Sequence, residues 1–494
     1  MLNKIKQKIG AFLGSDKDVP AVTGLIAGLY PFLFYYSNNY PAVDSSGHFI
    51  MFIFFSIVVP IAVTLTGYSI FSLLPKLRPY RSHLLFVLLI TITSSLLITA
   101  VTLVFKKKLL VLICVLAGLV SFKLYKYYKH LLLIICAMMV LPLLKFGVSF
   151  YEDKRGTDWG NLSEKDKISD AKFTKTPNIY MIQPDGYAGR EIIETDPYRY
   201  KNAFYGWLED NSFSVYKNFR SNYPASLTSN ASMFAMKHHY FNDVMLPSID
   251  MPNARNVIMS NSALRILKKN GYATFFIAQD EYFQQDRSRS DYDFYNIEPK
   301  DVPYFTFGHD VVRNVDEGLD NAINAKMDKP KFIFVEKLLP HHIHFKEGKD
   351  NIEEQRKEYL GKIEKANVWL KNTISKINEN DKNALIILLS DHGGWVGMNS
   401  AKEFYSTQDP KLIRSTFGNM AAIQWNGLNH TPYDGKLKSS VNVFRVLFAC
   451  LSENKSYLDY LEKDESYNIR PGNFITESVH KLIDQNGTIV NEKH

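Results

Sequence analysis

Apolar and polar residues are distributed along this chain in two different ways. Before residue 150 the apolar residues run together in long blocks: 20–36, 49–74, 83–105, 109–122 and 131 to about 150. Several of these blocks reach the roughly 20 residues a helix needs to cross a bilayer, which predicts five membrane spans. Pro60 predicts a kink in the second. The fourth is short, which suits a tilted or partly buried span.

After Pro177 the pattern changes to short apolar runs separated by amphipathic stretches. Residues 178–183, 273–278, 331–335 and 384–389 predict buried strands, and 199–211, 263–269 and 352–378 predict helices. In the last of these, Leu360, Ile363, Ala366, Leu370, Ile374 and Ile377 form one stripe. Apolar strands alternating with helices imply a mostly parallel sheet covered by helices on both faces. The chain thus divides into an α-helical membrane domain (1–150), a polar linker along the membrane surface (151–176) and an α/β domain (177–494).

Charge refines this division. The formal net charge is +8 over 494 residues, but in the second domain Lys and Arg are interspersed with acids rather than gathered in a stripe, which argues against nucleic acid as a partner. At the amino end, Lys4, Lys6 and Lys8 lie among Leu2, Ile5, Ile9, Phe12 and Leu13, a basic amphipathic segment suited to an anionic leaflet. No small-residue cleavage site follows a short apolar core, so retention is expected. With five spans, Lys4–Lys8, then Lys76, Arg78 and Arg81, then Lys123, Lys126 and Lys129 fall on one side, which should be cytoplasmic. The α/β domain then lies outside. Lys106, Lys107 and Lys108 oppose this order: either they meet lipid phosphates on the outer face, or the fourth block does not cross and the large domain is cytoplasmic. Of the three cysteines only Cys450 lies in the α/β domain, so no disulfide forms within it.

The candidate chemistry sits where strands end. The run Ala384–Leu389 stops at Ser390-Asp391-His392-Gly393-Gly394, and Asp185 follows the first strand in Gln183-Pro184-Asp185-Gly186-Tyr187. Carboxyl ends of parallel strands are where α/β sheets bind ligands, and Asp beside His offers a cation two ligands. Taken alone, Asp185-Gly186 is ordinary turn chemistry and Asp391-His392 an ordinary loop pair. A third stretch, Ser221-Asn222-Tyr223-Pro224-Ala225-Ser226-Leu227-Thr228-Ser229-Asn230, enters a helix and places Ser226 at its N-cap or first turn. There a hydroxyl is either a plain cap or, beside a metal and the positive helix end, a nucleophile toward phosphate or sulfate.

These motifs, in this order and together with Leu339-Pro340-His341-His342-Ile343-His344, resemble the sulfatase-like branch of the alkaline phosphatase superfamily, which includes lipoteichoic acid synthases and phosphoethanolamine transferases. Residues 414–423 and 440–445 are similar to late segments of those proteins, and Ser-Asp-His-Gly is the most specific match. The resemblance implies an extracytoplasmic domain after five spans, with Asp185, Ser226, Asp391 and His392 as ligands of one divalent metal. Mn²⁺ or Zn²⁺ suits that set better than Mg²⁺. It implies Ser226 as nucleophile, with Thr228 as fallback. His341 would bind substrate phosphate or protonate the leaving oxygen; His342 and His344 either assist or are exposed loop residues. Ser226 is followed by Thr228 and Asn230, not by the Pro/Ala and Arg that formylglycine formation needs, which weighs against sulfate ester hydrolysis. The implied function is transfer of a phospholipid headgroup, phosphoglycerol or phosphoethanolamine, to a cell-envelope glycan or glycolipid through a phospho-Ser226 intermediate. A sulfatase- or phosphodiesterase-type hydrolase and an inactive scaffold of the same fold are the alternatives. Oligomeric state carries no signal in the sequence.

Overall fold

The computed structural model describes residues 2–40, 46–102, 104–155, 162–163, 165–239, 254–287, 289–303, 306, 308–344, 352–471 and 477–493. The chain forms two units, Met1–Arg155 and Gly156–His494.

The first unit is helical. The sequence predicts five separate spans; among the described residues three helical stretches are long and apolar enough to cross a membrane, Ser46–Leu73, Arg78–Thr102 and Lys107–Tyr151. The fourth and fifth blocks are joined in the last of these because 3-10 turns at Tyr125–Tyr127 replace a loop between them. The first block forms the helix Pro20–Asn39, which is largely buried inside the unit through Ile26, Ala27, Phe32, Leu33, Tyr35 and Tyr36. Where a kink is expected near Pro60, one π turn at Phe54–Val58 leads into the helix Val59–Leu73, absorbing the backbone hydrogen bond that proline cannot make. Gly28 packs directly on this turn: a Cβ there would lie 1.5 Å from the Ser56 carbonyl oxygen.

The second unit is built on a seven-stranded sheet. Its strands are β1 (Ile179–Pro184), β2 (Ser214–Val215), β3 (Ala273–Ala278), β4 (Phe294–Tyr295), β5 (Lys331–Lys337), β6 (Leu385–Leu389) and β7 (Ala421–Gln424), in the order β2-β7-β6-β1-β5-β3-β4. The run β6-β1-β5-β3-β4 is parallel, while β7 is antiparallel to β6 and β2. Alternate residues bury on opposite faces, as a pleated strand requires. Met181, Phe276, Phe334 and Ile387 face a core closed by helices Ser226–Ala235, Ser262–Lys269 and Val443–Leu451. Ile182, Ile277, Val335 and Leu388 face helices Ala203–Asp210 and Ile352–Asn380.

Three differences from the sequence reading have physical causes. The helix expected over 199–211 begins only at Ala203, because Arg199 takes a left-handed backbone and Asn202 caps the helix through the Phe204 amide. A second, antiparallel sheet of β8 (Ser466–Pro471), β9 (Glu477–Ile483) and β10 (Ile489–Lys493) was not expected from the sequence; its strands are too polar to read as buried. The stretch 151–176, read from its charge as a surface linker, is partly built into structure. Tyr151–Arg155 completes the helix Val140–Arg155, and Ile168 and Ala171 are buried in the second unit. The Asp166 carboxylate is buried there as well, because the Arg445 guanidinium meets it with two hydrogen bonds of 3.1 and 2.5 Å.

Candidate active site

Strands β6, β1 and β5 lie side by side and parallel, with Ile182 paired to Leu388 on one side and to Val335 on the other. Their carboxyl ends therefore open onto one rim. Asp185 follows β1, Asp391 and His392 follow β6, and the histidine loop His341–His344 follows β5. Gly186 fits this crowding: its φ is +64°, and a Cβ there would lie 2.8 Å from the His342 amide nitrogen.

Ser226 is the first residue of the helix Ser226–Ala235, behind Ala225 in extended conformation. Its hydroxyl donates to Asp185 Oδ1 at 3.2 Å and lies 3.3 Å from His392 Nε2. His392 Nε2 in turn lies 3.5 Å from Asp185 Oδ1 and 3.4 Å from Asp391 Oδ2. Asp185, Ser226, Asp391 and His392 are thus brought together. Thr228 is not among them: it is 1% exposed, and its hydroxyl donates to the Ala225 carbonyl at 3.1 Å.

The donor set fits a cation. Asp391 Oδ1 accepts from the Gly186 and His392 amides at 3.1 and 3.0 Å, whereas its buried Oδ2 has no hydrogen-bond partner. An orphaned carboxylate oxygen costs stability unless something positive meets it. Asp185, Asp391 and His392 each offer a ligand atom within 4.8 Å of the other two. Electrostatics separates the two carboxyls. Burial raises both, but His341 and then His392 hold Asp185 well below the usual carboxylate range, while burial and the neighbouring Asp185 charge push Asp391 up to about 6 against the pull of His392.

The histidines after β5 differ among themselves. His341 Nδ1 is bonded to Asp185 Oδ2; burial would lower its pKa, but the Asp185 charge and this bond raise it. His342 stacks on Trp395 at 3.7 Å and directs Nδ1 to the Ile343 carbonyl at 2.7 Å. Burial and the adjacent His341 lower it well below the ordinary histidine value. His344 is exposed and lowered by the same two causes.

Several residues that shape the site were missed by the sequence reading. Trp395 lies under both His342 and His392. Tyr359, on the long helix, bonds the backbone on either side of Tyr187. Glu336 is an acid inside the apolar strand β5, with its pKa pushed far up by burial and then by Asp280, Asp185 and Asp391. An acidic residue interrupting an apolar run was the one signal available for it.

The sulfatase family model matches residues 208–451. This part of the chain is a sulfatase-family domain. The family is metal-dependent, in keeping with the cation-ready donor set. A comparison with curated proteins gives no match. Among solved structures, the chain is similar to the lipooligosaccharide phosphoethanolamine transferase A of Neisseria meningitidis at 12% identity, over 88% of this chain and 96% of that one, with a TM-score of 0.41. It is similar at 13% identity and a TM-score of 0.40 to the periplasmic domain of EcEptC from Escherichia coli in complex with zinc, over 64% and 96%. The lipoteichoic acid synthase LtaP of Listeria monocytogenes is similar at 14% identity and a TM-score of 0.39, over 69% and 92%.

Proposed function

We propose that this sulfatase-family chain is a membrane-tethered phosphotransferase that moves a phospholipid headgroup, phosphoglycerol or phosphoethanolamine, onto a glycan or glycolipid of the cell envelope. The observation that supports this best is the position of the Ser226 hydroxyl, 3.2 Å from Asp185 and 3.3 Å from His392 at the start of a helix. In this reading Asp185, Ser226, Asp391 and His392 hold one divalent cation, Zn²⁺ or Mn²⁺, which when bound lowers the serine pKa and offsets charge on the phosphoryl oxygens. Ser226 Oγ attacks the lipid phosphorus in line: the Oγ–P bond forms, the bond from phosphorus to the diacylglycerol oxygen breaks, and the serine proton ends, net, on that oxygen. The amides at the first turn of the helix Ser226–Ala235 face the phosphate, and His341, fixed through Nδ1 on Asp185, holds a phosphate oxygen. The acceptor hydroxyl then displaces Ser226 in a second in-line step.

The membrane unit is read as five spans, the 45-residue stretch Lys107–Tyr151 serving as two that meet at the basic turn Lys123–Lys129. Such a count places the second unit outside the cytoplasm, where a covalent tether limits how far it can range from donor lipid.

The test is to incubate the full-length protein with headgroup-labelled phospholipid and envelope glycan. Label on the glycan, lost in Ser226→Ala, supports transfer. Label only in free headgroup phosphate makes the protein a hydrolase, and label in neither makes it a scaffold. A Ser226 peptide heavier by the phospho-headgroup, seen by mass spectrometry, identifies the intermediate.

A further inference from the structure

The end of the sheet opposite the Ser226 rim holds a cavity of about 560 Å³, the size of a small-molecule site. Pro177 leads into β1 and Asn383 into β6, whose first residues pair as Ile179 with Leu385. Strand β7 runs the other way, with Gln424 beside Ile386, so the turn after it brings Asn426 and Asn429 to that same end. The walls are fixed without a ligand. The Thr174 and Lys175 amides both donate to the Leu451 carbonyl, at 2.8 and 3.2 Å. Asn426 takes a left-handed backbone, φ +41°, and its Nδ2 donates to the Ala384 carbonyl at 2.6 Å. A cavity ordered in folding spares the ligand that cost on binding. Its polar groups, in contrast, are largely unspent. Among the described residues the side chains of Thr176, Asn383 and Asn429 make no hydrogen bond, and Asn426 uses only its Nδ2.

The lining selects the class of ligand. Phosphate sites gather cations and hard-metal sites gather carboxylates, whereas this cavity has one charge of each sign, Lys175 and Glu453. Three side-chain amides and a hydroxyl remain, each able both to donate and to accept, as a sugar hydroxyl does. Pro177 and Tyr433 add apolar surface, which suits the C–H face of a sugar ring. We infer that this cavity binds a neutral sugar unit and is a second hold on the glycan acceptor, away from the reacting hydroxyl; the acceptor clause rests on the phosphotransferase reading. The two ends of β1 lie about 20 Å apart, at roughly 3.3 Å per residue. A short acceptor therefore cannot occupy both places, while a polymer can. The cavity raises affinity for long acceptors and leaves the chemical step at Ser226 untouched.

The experiment is calorimetric titration of the full-length protein, in a detergent without a sugar headgroup, with maltose, lactose, chitobiose and neutral envelope glycan. Binding of the glycan and of at least one disaccharide is expected. Asn383 and Asn429 are exposed, so the double variant Asn383→Ala/Asn429→Ala folds normally, and loss of its two amides should weaken binding by about 10-fold or more. Asn429→Trp, which fills the mouth, should abolish it, and Ser226→Ala should leave it unchanged. No binding of any of the four, or native affinity in either cavity variant, overturns the site. Binding of a disaccharide but not of the glycan leaves a site for a free sugar and overturns the acceptor clause. In the labelled-phospholipid assay the double variant should raise KM for polymeric glycan by the same factor, with kcat and the rate on a disaccharide acceptor unchanged; an unchanged KM also overturns that clause. Sugar bound in the cavity of a native protein that transfers no label overturns the phosphotransferase reading and leaves the site standing; transfer with no sugar bound there does the reverse.

Discussion

The Tyr359 hydroxyl donates to the Gly186 carbonyl at 2.7 Å and accepts from the Ala188 amide at 2.9 Å, so one side chain of the helix Ile352–Asn380 clamps the turn that follows Asp185. Its ring fills the space that Gly394 leaves open, since a Cβ at Gly394 would lie 2.4 Å from it. Tyr359→Phe keeps the ring and strands a buried carbonyl and a buried amide, at a cost of ~1–3 kcal/mol. It is expected to lower the unfolding free energy by that amount. Because the turn orients Asp185, metal affinity should also fall by about 10-fold or more; zinc titration of the native and variant proteins measures it.

Ser226 and Thr228 lie in the same first turn, but only Ser226 reaches the carboxylates. Ser226→Ala is expected to reduce headgroup transfer by at least about 10³-fold, as loss of a nucleophile does. Thr228→Ala removes a hydroxyl spent on the Ala225 carbonyl and should cost only ~1 kcal/mol of stability while leaving the rate within a few-fold. Rates and melting curves of the two variants, measured side by side, decide which hydroxyl attacks.

Arg445 is fully buried, and its guanidinium forks onto Asp166. Arg445→Met strands a buried carboxylate, so it should destabilise the second unit by ~3–5 kcal/mol. Replacing both partners, Asp166→Leu with Arg445→Met, should recover most of that loss. Denaturation of the two variants tests whether residues 166–171 belong to the folded domain in solution.

His239 is completely buried, stacked on Tyr223 at 4.1 Å, with Nε2 2.9 Å from the Thr228 carbonyl. Burial drives its pKa down to about 3, against roughly 6.5 in the unfolded chain. The unfolded state therefore binds the proton more readily between those values, and stability falls as pH drops below about 6.5. Between pH 6.5 and 5 this group alone contributes a loss of up to ~2 kcal/mol. His239→Gln, which keeps a donor for Thr228, should flatten the pH dependence of the unfolding free energy by a comparable amount. An unchanged slope would show that His239 is accessible to protons in the folded state.

The sequence by itself determined what local pattern can encode. The apolar run 384–389 is a strand because six apolar residues in a row suit a site buried on both faces, and Ser390-Asp391-His392-Gly393 must follow at its end. The amphipathic stripe through Ile363, Leu370 and Ile377 likewise specifies the long helix, and the blocks before residue 150 specify apolar helices. Tertiary structure decided the rest. Ser226 meets a carboxylate 41 residues away and an imidazole 166 residues away only because β6, β1 and β5 are neighbours, and strand order is set by long-range pairing that no local window contains. The same holds for Asp166, whose charge reads as solvated until Arg445, 279 residues later, arrives to bury it, and for the polar strands β8–β10, which become a sheet by pairing with one another.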